Sequence, residues 1–221
     1  MDSNAARLLW VVGAYLAGTL PSAYLVARAR GLDDLIAQAD RRSGEADAHI
    51  LLTKRVGKGW AGVAAAADVL KALLFVAAAR EVGKVPPRWL AAAGVALVLG
   101  HAWPPYLRRM AGRGISATAG VYLVLLPLQM VGMGALILAG VFLGFSGLAT
   151  SIGLVLVSLA AAVQGQPTAF VLMAVAVAAL VALRRVEGVA SSPDVPLGRA
   201  VLHRLLYDSS GRPPARAVGG S

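Results

Sequence analysis

Leu148–Val163 (LATSIGLVLVSLAAAV) and Pro167–Leu183 (PTAFVLMAVAVAALVAL) follow one another with only Gln164-Gly165-Gln166 between them. Neither run holds a charged residue, and each approaches the ~20 residues that a helix needs to cross the hydrocarbon core of a bilayer. The Gly and Pro between them end one helix and begin the next. Two adjacent spans of this kind decide the fold class: an all-α, polytopic membrane bundle. Working outward, the same pattern recurs at Leu8–Val26, Ala61–Ala79, Trp89–Leu107, a short Ile115–Leu126 closed by Pro127, and Leu128–Phe145. Seven membrane helices are expected. Gly140 and Gly144, four residues apart, are expected to let helices approach closely.

Composition agrees. Of 221 residues, 58% are hydrophobic and 14% charged, and the mean hydropathy is +0.71, which excludes an ordinary soluble domain. Seven spans leave no room for a large extramembrane domain. Residues 1–190 are therefore expected to form the membrane domain. Residues 191–221, rich in Pro, Gly, Ser and Arg, are expected to form a largely disordered cytoplasmic tail with a short amphipathic helix at Arg199–Tyr207. Gly31–Gly59 reads as a polar extramembrane loop. Arg7 precedes Leu8–Val26 as in a signal peptide, but the spans that follow make it an anchored first helix. With no cysteine, disulfides, thiolate nucleophiles and cysteine-held metals are excluded.

The net charge of +10 sits in loops and tail. It suits anionic headgroups or phosphorylated substrates and not nucleic acid. Arg28, Arg30, Arg41, Arg42, Lys54, Arg55, Lys58, Arg108, Arg109, Arg113, Arg184 and Arg185 fall on one side of a seven-span chain; Arg7, Arg80, Lys84 and Arg88 fall on the other. By the positive-inside rule the first side is cytoplasmic and the N-terminus lies outside. Abundant alanine, and arginine in excess of lysine, point to a bacterial cytoplasmic membrane.

The chemistry is expected where Gly100-His101-Ala102-Trp103-Pro104 is followed by Ala111-Gly112-Arg113-Gly114-Ile115-Ser116-Ala117-Thr118. A Gly-Arg-Gly turn opening a helix offers backbone N–H groups, the positive end of the helix dipole and a guanidinium, the donors that phosphate needs. The bland alternative is a short basic loop that merely obeys the charge rule. His49, in a polar loop, reads as solvated, and His203 as inert. Asp68 and Lys71, three residues apart on one helical face, read as an ion pair. No His/Asp/Glu set has ligand spacing, so no metal or cofactor is expected, and no His-x4-Asp dyad is present. Chemistry must then rest on positioning and charge stabilisation. A transporter would need paired broken helices or a midplane chain of ionisable groups, which the sequence lacks.

Over residues 8 to 190 the chain resembles the acyl-phosphate:glycerol-3-phosphate acyltransferase family, seven-span bacterial membrane enzymes of phospholipid synthesis. Tyr15-Leu16-Ala17-Gly18-Thr19-Leu20-Pro21-Ser22 is similar to the family's opening span. Val56-Gly57-Lys58 with Asp68-Val69-Leu70-Lys71 is similar to its second, and Gly100-His101-Ala102-Trp103-Pro104 with Gly112-Arg113-Gly114 to its Gly-His-x-Phe-Pro and Gly-Lys-Gly motifs. The resemblance implies acyl transfer from acyl phosphate to the first hydroxyl of glycerol 3-phosphate, giving lysophosphatidic acid and phosphate. Catalysis would fall to Ser43 and His101, and phosphate binding to Gly112, Arg113, Gly114, Lys54, Arg184 and Arg185. Arg113 takes the place of the family's lysine, exchanging a compact ammonium for a wide fork. The chain departs from the family at Arg42–Lys54, where both family asparagines are missing and Glu45 and Asp47 bring negative charge. It departs again at Arg184-Arg185-Val186-Glu187-Gly188-Val189, where a histidine and an asparagine are missing. These departures leave a second reading open, a non-catalytic relative that binds acyl phosphate or anionic lipid and regulates a partner enzyme. Oligomeric state is not legible.

Overall fold

The computed structural model describes residues 3–32, 48–107, 112–187 and 196–207. Among them lie ten helices and no strand: α1 Asn4–Thr19, α2 Ser22–Ala29, α3 Ala48–Arg55, α4 Lys58–Glu81, α5 Pro87–Ala102, α6 Ile115–Leu125, α7 Pro127–Leu143, α8 Ser146–Val163, α9 Thr168–Val186 and α10 Leu197–Tyr207. All seven apolar segments read from the sequence carry helix. Asn4–Ala29, Lys58–Glu81, Ser146–Val163 and Thr168–Val186 are long and apolar enough to cross a membrane. α6, at ~1.5 Å per residue, covers only about half of a hydrocarbon core. The surface is apolar, with Leu8, Leu9, Leu70, Leu74, Leu156 and Leu159 exposed, as lipid-facing helices require.

Several boundaries differ from the sequence reading, each for a local reason. The first span is not continuous. Pro21 has no N–H to donate, so α1 stops at Thr19 and α2 restarts at Ser22, leaving carbonyls near the break for other donors. The third span ends at Ala102 and not at Leu107, because Pro104 pushes Trp103 out of helical geometry (φ −134°, ψ 65°). The polar loop is partly helical: α3 lies inside it, burying Ala48, Leu51 and Leu52. α10 matches the amphipathic helix expected at Arg199–Tyr207. Residues 33–47, 108–111, 188–195 and 208–221, which include Ser43, Glu45, Asp47 and most of the expected tail, lie outside the described residues.

Small residues set the packing. At Gly18 a side chain would overlap Leu97 O, and at Gly100 it would overlap Tyr15 O, so α1 and α5 touch backbone to backbone. Gly140 likewise abuts Ala149 of α8. Gly144 does not take part in that packing. It ends α7 in the left-handed region at φ 79° and has open space around it, so the four-residue glycine spacing is a packing position followed by a turn. The core between helices is a continuous cluster that includes Leu97, Val98, Val121, Tyr122, Val177 and Val181.

Candidate functional site

The C-terminal end of α5, the N-terminal end of α6, the α1–α2 break, α3 and the C-terminal end of α9 converge at one end of the bundle. Gly114 caps α6 from the left-handed region at φ 91°, a conformation glycine adopts without strain. Its carbonyl accepts from Thr118 N at 2.8 Å. Arg113 is buried at 8% exposure and lines a groove of about 370 Å³ with His49, Thr53, His101, Ile115 and Ser116. A guanidinium bordering a groove presents the planar fork of donors that suits anions such as phosphate.

His101, 7% exposed, ends α5 in contact with this turn. A side chain on Gly112 would overlap His101 Nε2, so only glycine lets the turn pass over the ring. Arg184 supports the turn from behind. Its Nε donates to Gly112 O at 3.4 Å and its Nη1 to Glu187 Oε2 at 2.7 Å. The same carboxylate oxygen accepts from Trp103 Nε1 at 2.9 Å. Arg185, 1% exposed, donates through Nη1 to Gly147 O at 2.7 Å and to Ser151 Oγ at 2.9 Å, on the first turns of α8. Lys54 is exposed on α3.

Below the groove lies a polar core centred on Asp68 of α4, 1% exposed. Its Oδ1 accepts from Ser22 Oγ at 2.7 Å and pairs with Lys71 Nζ at 2.6 Å, while His101 Nδ1 stands 3.4 Å away. Its Oδ2 lies 2.9 Å from His49 Nε2. Lys71 also donates to Leu20 O at 2.5 Å and Gly18 O at 3.2 Å, carbonyls beside the Pro21 break. The Asp68–Lys71 pair expected from spacing is present, with more partners than spacing could show.

His49 overturns its sequence reading. It is only partly exposed, at 20%: α3 carries it against Asp68, with its ring centroid 6.4 Å from that of His101. The signal for α3 was the Ala48, Leu51, Leu52 face within a polar stretch, too short to register against its charged flanks. The absence of metal-ligand spacing in sequence also proved a poor guide. Ligand atoms of His49, Asp68 and His101 lie within 4.8 Å of one another. A cation is nevertheless already supplied here by the chain, since the Lys71 ammonium sits on Asp68 Oδ1.

The sequence model described as glycerol-3-phosphate acyltransferase matches residues 8–191. The glycerol-3-phosphate acyltransferase of Rubrobacter xylanophilus is 34% identical over 184 residues, 82% of this chain and 88% of the relative. That of Halalkalibacterium halodurans is 30% identical over 201 residues, 86% and 95% respectively. The crystal structure of PlsY (YgiH), an integral membrane glycerol 3-phosphate acyltransferase, in its glycerol 3-phosphate form superposes with a TM-score of 0.70 at 26% identity. It covers 83% of this chain and 90% of that one, and its lysophosphatidic acid form gives 0.69 at 25%. The chain belongs to the glycerol-3-phosphate acyltransferase family. It is a multi-pass membrane acyltransferase of phospholipid synthesis, and the non-catalytic reading is not favoured.

Proposed function

We propose that the acyl donor is an acyl phosphate and that the acyl group passes to the 1-hydroxyl of glycerol 3-phosphate, releasing lysophosphatidic acid and phosphate. The observation that carries this reading is Arg113, buried on the Gly112–Gly114 turn beside His101 and a groove large enough for a phosphate and its glycerol. The turn's backbone N–H groups and the guanidinium receive phosphate. His101 and Ser43 take part in the transfer, Ser43 from outside the described residues. Lys54 adds positive potential at the mouth. Arg184 adds charge behind the turn and fixes the Gly112 carbonyl, whereas Arg185, expected as a second phosphate ligand, is held by Gly147 O and Ser151 Oγ of α8. Both substrates bring phosphate, and one also brings a hydrocarbon chain that the apolar flanks of a membrane bundle accommodate. A relative solved in glycerol 3-phosphate and lysophosphatidic acid forms supports the acceptor and the product.

The same reading places the enzyme in the bacterial cytoplasmic membrane with seven spans, the N-terminus outside, the groove facing the cytoplasm, and residues 1–190 as the membrane unit with 191–221 as tail. Because the chain has no cysteine, single cysteines introduced at Arg88 and Ser221 test this directly. A membrane-impermeant maleimide applied to intact cells labels the first and spares the second; the reverse pattern overturns the orientation. Activity is tested with purified protein in lipid nanodiscs given palmitoyl phosphate and glycerol 3-phosphate. Lysophosphatidic acid and phosphate in equal amounts are expected, and product from palmitoyl-CoA but not from palmitoyl phosphate overturns the donor assignment.

A further inference from the structure

α1 begins, and α4 gives way to α5, at the opposite end of the bundle from the groove, ~24 Å along α1 from the Thr19 break. At this corner Arg7 and Trp10 of α1 and Gly83, Lys84 and Pro86 of the α4–α5 turn line a recess of about 100 Å³. A side chain on Gly83 would overlap the edge of the Trp10 indole, so only glycine lets the turn close over the ring. Lys84 follows at φ 46°, the one non-glycine residue with positive φ among those described. Glycine adopts that conformation freely and lysine does not, so the ammonium supplies something that glycine cannot. Donors there exceed acceptors. Arg7 Nη1 donates to Asn4 Oδ1 at 3.3 Å, which leaves the rest of its guanidinium fork. Trp10 meets Phe75 edge to face, with centroids 5.6 Å apart, and its Nε1–H has no acceptor among the described residues. Lys84 Nζ comes only to 3.7 Å from Glu81 Oε2, and Arg80 Nε already lies 3.2 Å from that carboxylate.

We propose that this corner binds one anionic phospholipid of the leaflet opposite the acyl-transfer groove, with its phosphodiester in the recess between Arg7 and Lys84. Two cations and an indole N–H on one small recess match the oxygens of a phosphate, and basic pockets at helix ends hold lipid headgroups in this way. The apolar surface beside the recess selects lipid over free phosphate. Leu9, Val12 and Leu16 form an exposed stripe along α1, and Val82, 80% exposed, stands next to the turn. Free phosphate would use the donors alone, whereas a phospholipid uses the donors and lays its chains along the stripe. An anionic headgroup is favoured over a zwitterionic one, because a headgroup ammonium would meet the same two cations. The site is separate from the chemistry of acyl transfer and does not depend on which acyl donor the enzyme uses.

The test is native mass spectrometry of the full chain released from detergent micelles doped with dioleoylphosphatidylglycerol or dioleoylphosphatidylcholine. The wild type is expected to retain one phosphatidylglycerol about tenfold more tightly than phosphatidylcholine. Arg7→Gln and Lys84→Gly are each expected to weaken that retention about tenfold, the effect of one charge-assisted contact, and Trp10→Phe, which keeps the ring and removes its N–H, about threefold. Arg88→Gln removes an exposed charge at the same end but outside the recess and is expected to stay within about twofold. Lys84→Gly should melt no lower than the wild type in lipid-free detergent, since glycine accepts the positive φ, so its loss of lipid is not a loss of fold. Equal retention of the two lipids by the wild type overturns the proposal, as does an undiminished phosphatidylglycerol preference in Lys84→Gly. A loss in Arg88→Gln as large as in Arg7→Gln also overturns it, by marking a diffuse charge effect. Displacement of the retained lipid by millimolar inorganic phosphate would assign the recess to free phosphate and overturn the lipid as its occupant.

Discussion

The two ends of the bundle hold different kinds of polar group. At the end where α5 stops and α6 starts, α1 stops before Pro21, α5 stops before Trp103-Pro104 and α6 begins after Gly114, and side chains of other helices take up backbone carbonyls there: Lys71 on Gly18 O and Leu20 O, Arg184 on Gly112 O. At the far end, where α6 gives way to α7 and α8 to α9, the turns are short. There Gln129 Nε2 donates to Gln164 Oε1 at 2.7 Å, and Arg80 Nη1 of α4 takes up the Val124 carbonyl near the end of α6 at 2.8 Å. The second arrangement only closes the fold. The first assembles cations, imidazoles and a carboxylate around a groove, and interrupted helices are what make that possible inside a membrane.

Four variants probe this contrast, in descending order of effect. Asp68→Leu removes the anion from beneath Lys71 and two imidazoles, and is expected to destabilise the protein by about 3–5 kcal/mol, the cost of orphaning a buried charge. Thermal unfolding in detergent reads it, and an unchanged melting temperature would mean that the polar core is not structural. Arg113→Ala is expected to lose ~1.5–3 kcal/mol of substrate interaction, roughly 10- to 150-fold in kcat/KM. Its melting temperature should stay near that of the wild type, and undiminished affinity for glycerol 3-phosphate would remove Arg113 from the phosphate site. Arg184→Ala frees Gly112 O and Glu187 and is expected to lower kcat/KM by about fivefold, ~1 kcal/mol, with Arg184→Lys recovering part of it. At the far end, Gln129→Leu with Gln164→Leu is expected to cost about 0.6 kcal/mol in stability, the usual worth of a hydrogen bond between membrane helices, and to leave acyl transfer unchanged. Loss of activity there would end the contrast between the two ends.

The parts of this architecture legible in sequence were those that depend on local composition. Leu148–Val163 and Pro167–Leu183 each became one helix, α8 and α9, because length and apolarity suffice when the solvent is lipid. Leu8–Val26 misled, since hydropathy does not register the break at Pro21 that supplies Lys71 with two carbonyls. The Gly112-Arg113-Gly114 turn was legible because glycine, charge and a following apolar run lie together in the chain. His49 was not, since its partner Asp68 is nineteen residues away and its helix is short and charged at its end.

By itself, then, the sequence determined an all-α membrane bundle, the order of its segments, a basic glycine turn, and the family to which those motifs belong. These follow from transfer free energies and short-range backbone preferences, which neighbouring residues set. Only the tertiary structure decided that Ser22, His49, Lys71 and His101 meet on Asp68, and that Arg184 bears on the turn while Arg185 reaches α8. Hydrogen bonds at such range depend on which helix faces come together, and that is fixed by backbone contacts such as Gly18 against Leu97 O, which hydropathy along the chain does not encode.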